Sequence, residues 1–187
     1  MGDNVKAKAK QPRQVARTHI AMDYGAHSIK FSVGIFPNGR LKVSNAFIEN
    51  LPIGAYENGM IKDTTAMSEL IKKALKKHNV SEKRVIVTIE STEIIKREMS
   101  IPNVEESDRF DLITYEVSQY LPIDVNNYVL QYKVLRTEKA EDREVLQILL
   151  GAMPKIIVKA HFDTLKMAGL TPVVMDLHSN VLTKLVS

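Results

Sequence analysis

Asp23, Gly25 and Ser28, in the stretch THIAMDYGAHSIKFSV from Thr18 to Val33, are the residues whose types and spacing best suit a charged ligand. A strand ending in Asp-x-Gly-x-x-Ser gathers a carboxylate, several backbone N–H groups and a hydroxyl at one bend. That set suits a phosphate and its magnesium ion. Gly25 reads there as the residue free to take positive φ. An ordinary hairpin turn uses the same residue types, because Asp and Gly are common at turns of every kind, so the motif alone leaves both readings open.

The rest of the chain offers little competing chemistry. His19, His27, His78, His161 and His178 lack the spacing of zinc ligands and read as surface or packed histidines. Glu90 with Glu93, and Glu105 with Glu106, read as solvated carboxylates, and Ser91 has no histidine and acid placed by a motif. The eight methionines read as core filler.

Positioning the loop requires a hairpin. Ile29, Phe31, Val33 and Ile35 alternate at period two, a turn follows at Pro37, Asn38 and Gly39, and a third strand runs through Leu41, Val43 and Ala46 to Ile48. LPIGAYENGMIKD reads as an irregular connection, since Pro52, Gly54 and Gly59 oppose regular structure. Thr64 to His78 reads as a helix capped by Asp63 or Thr64, with Met67, Leu70, Ile71, Ala74 and Leu75 on one stripe. Its Lys72, Lys73, Lys76 and Lys77 read as a solvated face near the negative end of the helix dipole.

The β-branched runs Arg84 to Glu90 and Thr171 to Leu177 both read as central strands of one covered sheet. Between them the pattern gives a strand from Ile94 to Ile101 and a helix from about Val104 to Leu121. Two strands follow, near Tyr128 to Leu135 and Val145 to Leu150, and then a helix from Pro154 to Ala168. Asn103 and Glu106 have capping-box spacing, and Phe110, Ile113, Val117, Tyr120 and Leu121 share a face. RTEKAEDRE reads as a charged hairpin tip, and SNVLTKLVS as the start of a helix. The expected organisation is a disordered basic tail over 1–17, a first α/β subdomain from 18–92 and 171–187, and an inserted α+β subdomain over 93–170.

Composition agrees with a globular core, with 44% hydrophobic and 26% charged residues and no cysteine for a disulfide or thiolate site. No apolar run approaches the ~20 residues that span a bilayer. The net charge of +4 is carried by residues 1–17, so a nucleic-acid groove is not expected. The tail reads as a solubilising leader, or as a weak contact with an anionic membrane.

The hairpin loop, LPIGAYENGMIKD, IIKREMSIPNVEE, YEVSQYLPID and LLGAMPKIIVKAHFDTLKMAGLTPVVMDL, in that order, resemble the PilM family, the actin-like proteins of type IV pilus assembly. They are more distantly similar to the bacterial actin-like cell-division protein. The resemblance covers Thr18 to the C-terminus. It implies an actin-like (ribonuclease H-like) first subdomain with an inserted strand-helix-strand-strand subdomain, and expects the second actin-like half to be absent. The family binds Mg-ATP through a loop matched here by Asp23, Gly25, Ser28 and Lys30. Tyr24 replaces the family's isoleucine, and Ala26 and His27 replace two serines, with His27 a possible donor.

With one wall of the cleft, no cofactor is expected for this chain alone, and no enzyme activity. The implied function is a cytoplasmic adaptor beside the inner membrane. It would bind the N-terminal tail of an inner-membrane pilus protein in a groove between the two subdomains, with Leu51, Ile53, Tyr56 and Met60 as the expected wall. The alternative is an actin-like ATPase subunit completed by a second half.

Overall fold

The computed structural model describes residues 17–37, 40–140 and 143–177. Strands β1 (His19–Tyr24), β2 (Ser28–Ile35) and β3 (Lys42–Asn50) form an antiparallel meander, and α1 (Thr64–Lys77) carries the chain to β6 (Arg84–Ile89). β6 pairs in parallel with β1 and with β10 (Thr171–Leu177), giving a five-stranded sheet in the order β10-β6-β1-β2-β3. The two β-branched runs therefore share one sheet, as expected. β10, however, is its edge, and Val173 and Val174 are exposed rather than buried. An apolar run alone does not distinguish a covered strand from an edge strand.

The start of β6 is fixed by charge. Glu82 accepts from the backbone N–H groups of Lys83 and Arg84 and from the Arg84 guanidinium, which holds its carboxyl down at about 2. Arg84 also donates to the Thr18 carbonyl at 2.9 Å, and Thr171 N–H donates to the Lys83 carbonyl at 2.7 Å. One turn thus sets the register of β1, β6 and β10.

α1 is capped by the Asp63 carboxylate, which accepts from Ala66 N–H at 2.8 Å. Its Met67, Ile71, Ala74 and Leu75 join Ile20, Met22, Ile29, Phe31, Val85, Val87 and Ile89 in the larger core. Full burial of such side chains contributes about 1.5–3 kcal/mol each.

The connection at residues 51–63 is more regular than its glycines suggest. β4 (Tyr56–Glu57) and β5 (Met60–Ile61) form a two-residue hairpin at Asn58 (φ 46°) and Gly59 (φ 81°), the Asn-Gly turn whose positive φ values match strand twist. Asn58 ties it to Thr92 through hydrogen bonds of 2.8 and 2.9 Å.

The second sheet, β7 (Ile95–Pro102), β9 (Arg143–Pro154) and β8 (Tyr128–Ala140) in the order β7-β9-β8, packs against α2 (Glu106–Tyr120). Its core holds Ile101, Ile113, Val117, Leu130, Leu146, Ile148 and Leu150. The strands run further into the charged segment than expected, and residues 141–142 of that tip lie outside the described residues.

Two local expectations fail here. Glu105 occupies the N-cap of α2 with no side-chain hydrogen bond, because Asn103 donates instead to Glu144 across the sheet at 2.9 Å. Phe110 and Tyr120 are exposed, while Ile113 and Val117 are fully buried in the second core and Leu121 packs against it.

The helix α3 (Lys155–Met167) corrects the expected boundary at residue 170. Ile157 and Leu165 lie in the larger core, and α3 packs beside α1, so the segment built on the second core ends near Pro154. No described helix is long and apolar enough to cross a membrane. The basic tail over 1–16, the Asn38-Gly39 turn and the helix expected after Leu177 lie outside the described residues.

A Cβ on Gly59 would stand 2.6 Å from the Glu90 carbonyl and from Ser91 Cβ, whereas one on Gly54, also at positive φ, meets nothing within 4 Å. Gly59→Ala is therefore expected to cost about 2–4 kcal/mol and Gly54→Ala about 1 kcal/mol, read as urea midpoints. Equal costs would show that φ, not the contact with the β6 terminus, sets the requirement.

Candidate functional site

The sequence-predicted loop sits between β1 and β2 at the end of the larger sheet. Asp23 is the penultimate residue of β1, where its carboxylate accepts from the Thr88 hydroxyl at 2.8 Å and pairs with Lys30 Nζ at 3.1 Å. β2 supplies Lys30 directly opposite Asp23 in the antiparallel register, which is why the i, i+7 spacing closes a pair. The bend is made without positive φ, contrary to the expectation for Gly25, whose N–H donates to the Ser28 carbonyl at 2.8 Å. A Cβ there would approach that carbonyl to 3.2 Å, so closeness rather than handedness asks for glycine. His27 is exposed, and its carbonyl accepts from Leu51 N–H at 2.9 Å.

This geometry fits a magnesium phosphate only in part. Lys30 offers an ammonium and Asp23 a carboxylate, but the two are paired with each other, and the Gly25 amide that would cradle an oxygen is spent on the turn. Among the described residues no group of three or more His, Cys, Asp or Glu is placed to hold a metal ion. Ser91, buried beside Gly59, accepts from Glu93 N–H at 3.1 Å and is part of a turn.

Directly behind the loop lies a cluster that sequence reasoning missed. Tyr24 stacks on Tyr56 with ring centroids 5.3 Å apart, and His161 of α3 meets Tyr24 edge-on at 5.0 Å. Burial pushes the Tyr24 hydroxyl far up, and burial with the carboxylates of Asp23 and Glu90 pushes that of Tyr56 up to about 12. His161 donates Nδ1–H to the Ile157 carbonyl at 2.9 Å, while its Nε2, the Tyr24 hydroxyl and the Thr164 hydroxyl have no hydrogen-bond partner among the described residues. The signal was present in the spacing, since Ile157, His161, Thr164 and Leu165 share the inner face of α3.

Of the expected groove wall, Leu51, Tyr56 and Met60 pack against the larger core and only Ile53 is fully exposed. The concavity between the two cores lies elsewhere. Ile94, Val129, Gly151, Val158, Met175 and Leu177 line an apolar cavity of about 230 Å³ where β10 and α3 of the first sheet face β8 and β9 of the second. Val129 and Val158 also line a more open apolar channel that runs along α3 past Ile156 and Phe162.

Burial holds the His161 imidazole down at about 4 against an ordinary 6.5. Between those values the unfolded chain binds a proton that the folded chain does not. The His161 contribution to stability is therefore fully present well above pH 6.5 and is lost as pH drops through that value towards 4. At pH 5 the loss is about 2 kcal/mol. In His161→Phe the difference between the unfolding free energies at pH 7.5 and 5, read from urea titrations, should shrink by that amount, and an unchanged difference would place the titration elsewhere.

The family model of the type IV pilus assembly protein PilM matches residues 21–186. Among solved structures the chain is similar to one in a PilM-PilN type IV pilus biogenesis complex, with 22% identity and a TM-score of 0.75, over 89% of this chain and 48% of that one. It is also similar to the cytoplasmic domain of EpsL, an inner-membrane component of the type II secretion system of Vibrio cholerae. That match has 14% identity and a TM-score of 0.53, over 86% of this chain and 57% of that one. The chain thus spans about half the length of these structures. The likeness in fold makes the five-stranded sheet with α1 and α3 an actin-like first subdomain. With the family model covering nearly everything from Ala21 onward, the chain belongs to the type IV pilus assembly protein PilM family.

Proposed function

We propose that this chain is a non-catalytic cytoplasmic adaptor of type IV pilus assembly, which takes the N-terminal tail of an inner-membrane pilus protein into the groove between its two sheets. The observation that carries this reading is the apolar cavity between the cores. Its 230 Å³ is smaller than the ~300–1,000 Å³ typical of small-molecule sites, and it suits one or two aliphatic side chains of an extended segment. β10, the edge strand of the larger sheet among the described residues, borders it, and a sheet edge beside side-chain pockets is the arrangement in which an extended peptide is recognised. The PilM-PilN complex is a precedent from a protein of similar fold. The groove is accordingly assigned to Val129, Gly151, Met175 and Leu177, with Ile53 at most a peripheral contact.

A Cβ on Gly151 would lie 3.5 Å from Leu177 Cδ1, in ordinary contact, so a larger side chain there fills the cavity without displacing backbone. Calorimetry with a synthetic peptide of a PilN-type partner's N-terminus is expected to show binding to the wild type and to Ile53→Ser, and at least about tenfold weaker binding to Gly151→Leu. No binding by the wild type would remove the adaptor reading, and normal binding by Gly151→Leu would move the groove.

The nucleotide alternative makes the opposite demand on the loop. Since Asp23 and Lys30 neutralise each other and one loop alone contacts the ligand, this chain should show no micromolar affinity for Mg-ATP by calorimetry. A micromolar constant abolished by Asp23→Ala would favour the ATPase reading instead.

A further inference from the structure

The lysines of α1 look like an ordinary wet face until α3 is set beside them. The two helices pack against each other over the larger sheet and turn their cores inward, Met67, Ile71, Ala74 and Leu75 on one and Ile157, His161 and Leu165 on the other. Their opposite faces carry Lys73 and Lys76 on α1 and Lys155, Lys159 and Lys166 on α3, with Lys72 and Lys77 at the flanks. That is seven lysines against only Glu69 and Asp163. The excess is larger than the net +4 of the whole chain, so everything outside these two helices sums to a slight negative charge. Lys77 is engaged by Glu49 and Lys159 by Asp163, while Lys73 stands 4.0 Å from Glu69 in a pair mostly open to water.

The same layer exposes large apolar side chains among the lysines. Ile156 is 65% exposed, and Phe162 and Met167 are each 44% exposed. Lys166 Nζ lies 5.6 Å from the Phe162 ring centroid. Lysines whose stems flank apolar anchors on a broad helical layer, with no arginine among them, give diffuse positive charge plus insertable side chains. That pairing matches the interface of an anionic bilayer better than a phosphate backbone, which is commonly gripped by bidentate arginine, or an acidic peptide, which has no use for three protruding apolar groups.

We propose that the outer face of α1 and α3 is a peripheral docking surface for anionic lipid, held by its lysines and anchored by Ile156, Phe162 and Met167. Lys155, Ile156, Lys159 and Phe162 border the channel that leads from the cavity, whereas Lys73, Lys76 and Lys166 line neither the cavity nor the channel and can be changed without touching the peptide groove. The surface is distinct from the basic tail over residues 1–17.

The test is sedimentation of the full chain with vesicles of phosphatidylcholine alone and of phosphatidylcholine mixed with phosphatidylglycerol. The wild type should bind the mixed vesicles, bind pure phosphatidylcholine far less, and release as salt rises. Lys73→Glu, Lys76→Glu and Lys166→Glu combined should weaken partition by at least about tenfold, given about fivefold per basic residue near the surface. The same triple variant should keep the wild type's urea midpoint, which shows that it is folded, and the wild type's behaviour towards the partner peptide, which separates this surface from the groove. Phe162→Ser should weaken binding while leaving its salt dependence intact. A variant with Lys6, Lys8, Lys10 and Arg13 all changed to Ser should retain most of the binding. The proposal is overturned if the triple variant partitions like the wild type, if the tail variant loses all binding, or if a short DNA duplex or polyglutamate binds the helical face as strongly as the mixed vesicles.

Discussion

The parallel pairing of β10 with β6 is the constraint on which the rest of this structure depends. β6 is already paired with β1, so the chain must leave it, build a second sheet with its own core, and return through α3 before Thr171 can enter the remaining edge. Glu82 and Arg84 make that return specific, because one carboxylate, one guanidinium and the Lys83 carbonyl fix three strand ends in one turn. A parallel pair cannot be closed by a short loop, and this chain spends the long connection on an entire subdomain.

The apolar cavity is a consequence of that path. Strand β10 brings Met175 and Leu177, and α3 brings Val158, to the place where β8 and β9 present Val129 and Gly151. Two cores, each with its own well-packed side chains, meet across a seam that neither fills. Gly151 keeps the seam open, since it is the position in β9 where a side chain would meet Leu177. At the same end of the larger sheet, where Asp23 and Asp176 both stand level with Thr88, the Asp23-Lys30 pair closes the loop between β1 and β2 on itself, so an apolar concavity lies beside a self-satisfied charged bend.

Much of this was legible in the sequence. Alternation in Ile29 to Ile35, the stripe of α1 with its Asp63 cap, and Pro154 and Gly169 at the ends of α3 all report local chemistry that the fold respects. What failed was decided by distant partners. The capping box at Asn103 lost to Glu144, which lies far along the chain but adjacent in the sheet. Phe110 and Tyr120 share a face with Ile113 and Val117, yet the small three-stranded sheet covers only the middle of that face. Nothing in the periodicity of α3 says which of two apolar cores it joins, and the structure puts its Ile157 and Leu165 in the larger one. The Asn58-Gly59 turn was readable in principle, since positive φ at both positions is what that dipeptide supplies.

The account stands or falls on where an extended partner touches the chain, and amide hydrogen exchange with and without the partner's N-terminal peptide maps this directly. It predicts slowed exchange in residues 149–154 of β9 and 173–177 of β10, with residues 23–30 and 51–61 unchanged. Slowed exchange confined to 51–61, or to the Asp23 loop, would contradict it.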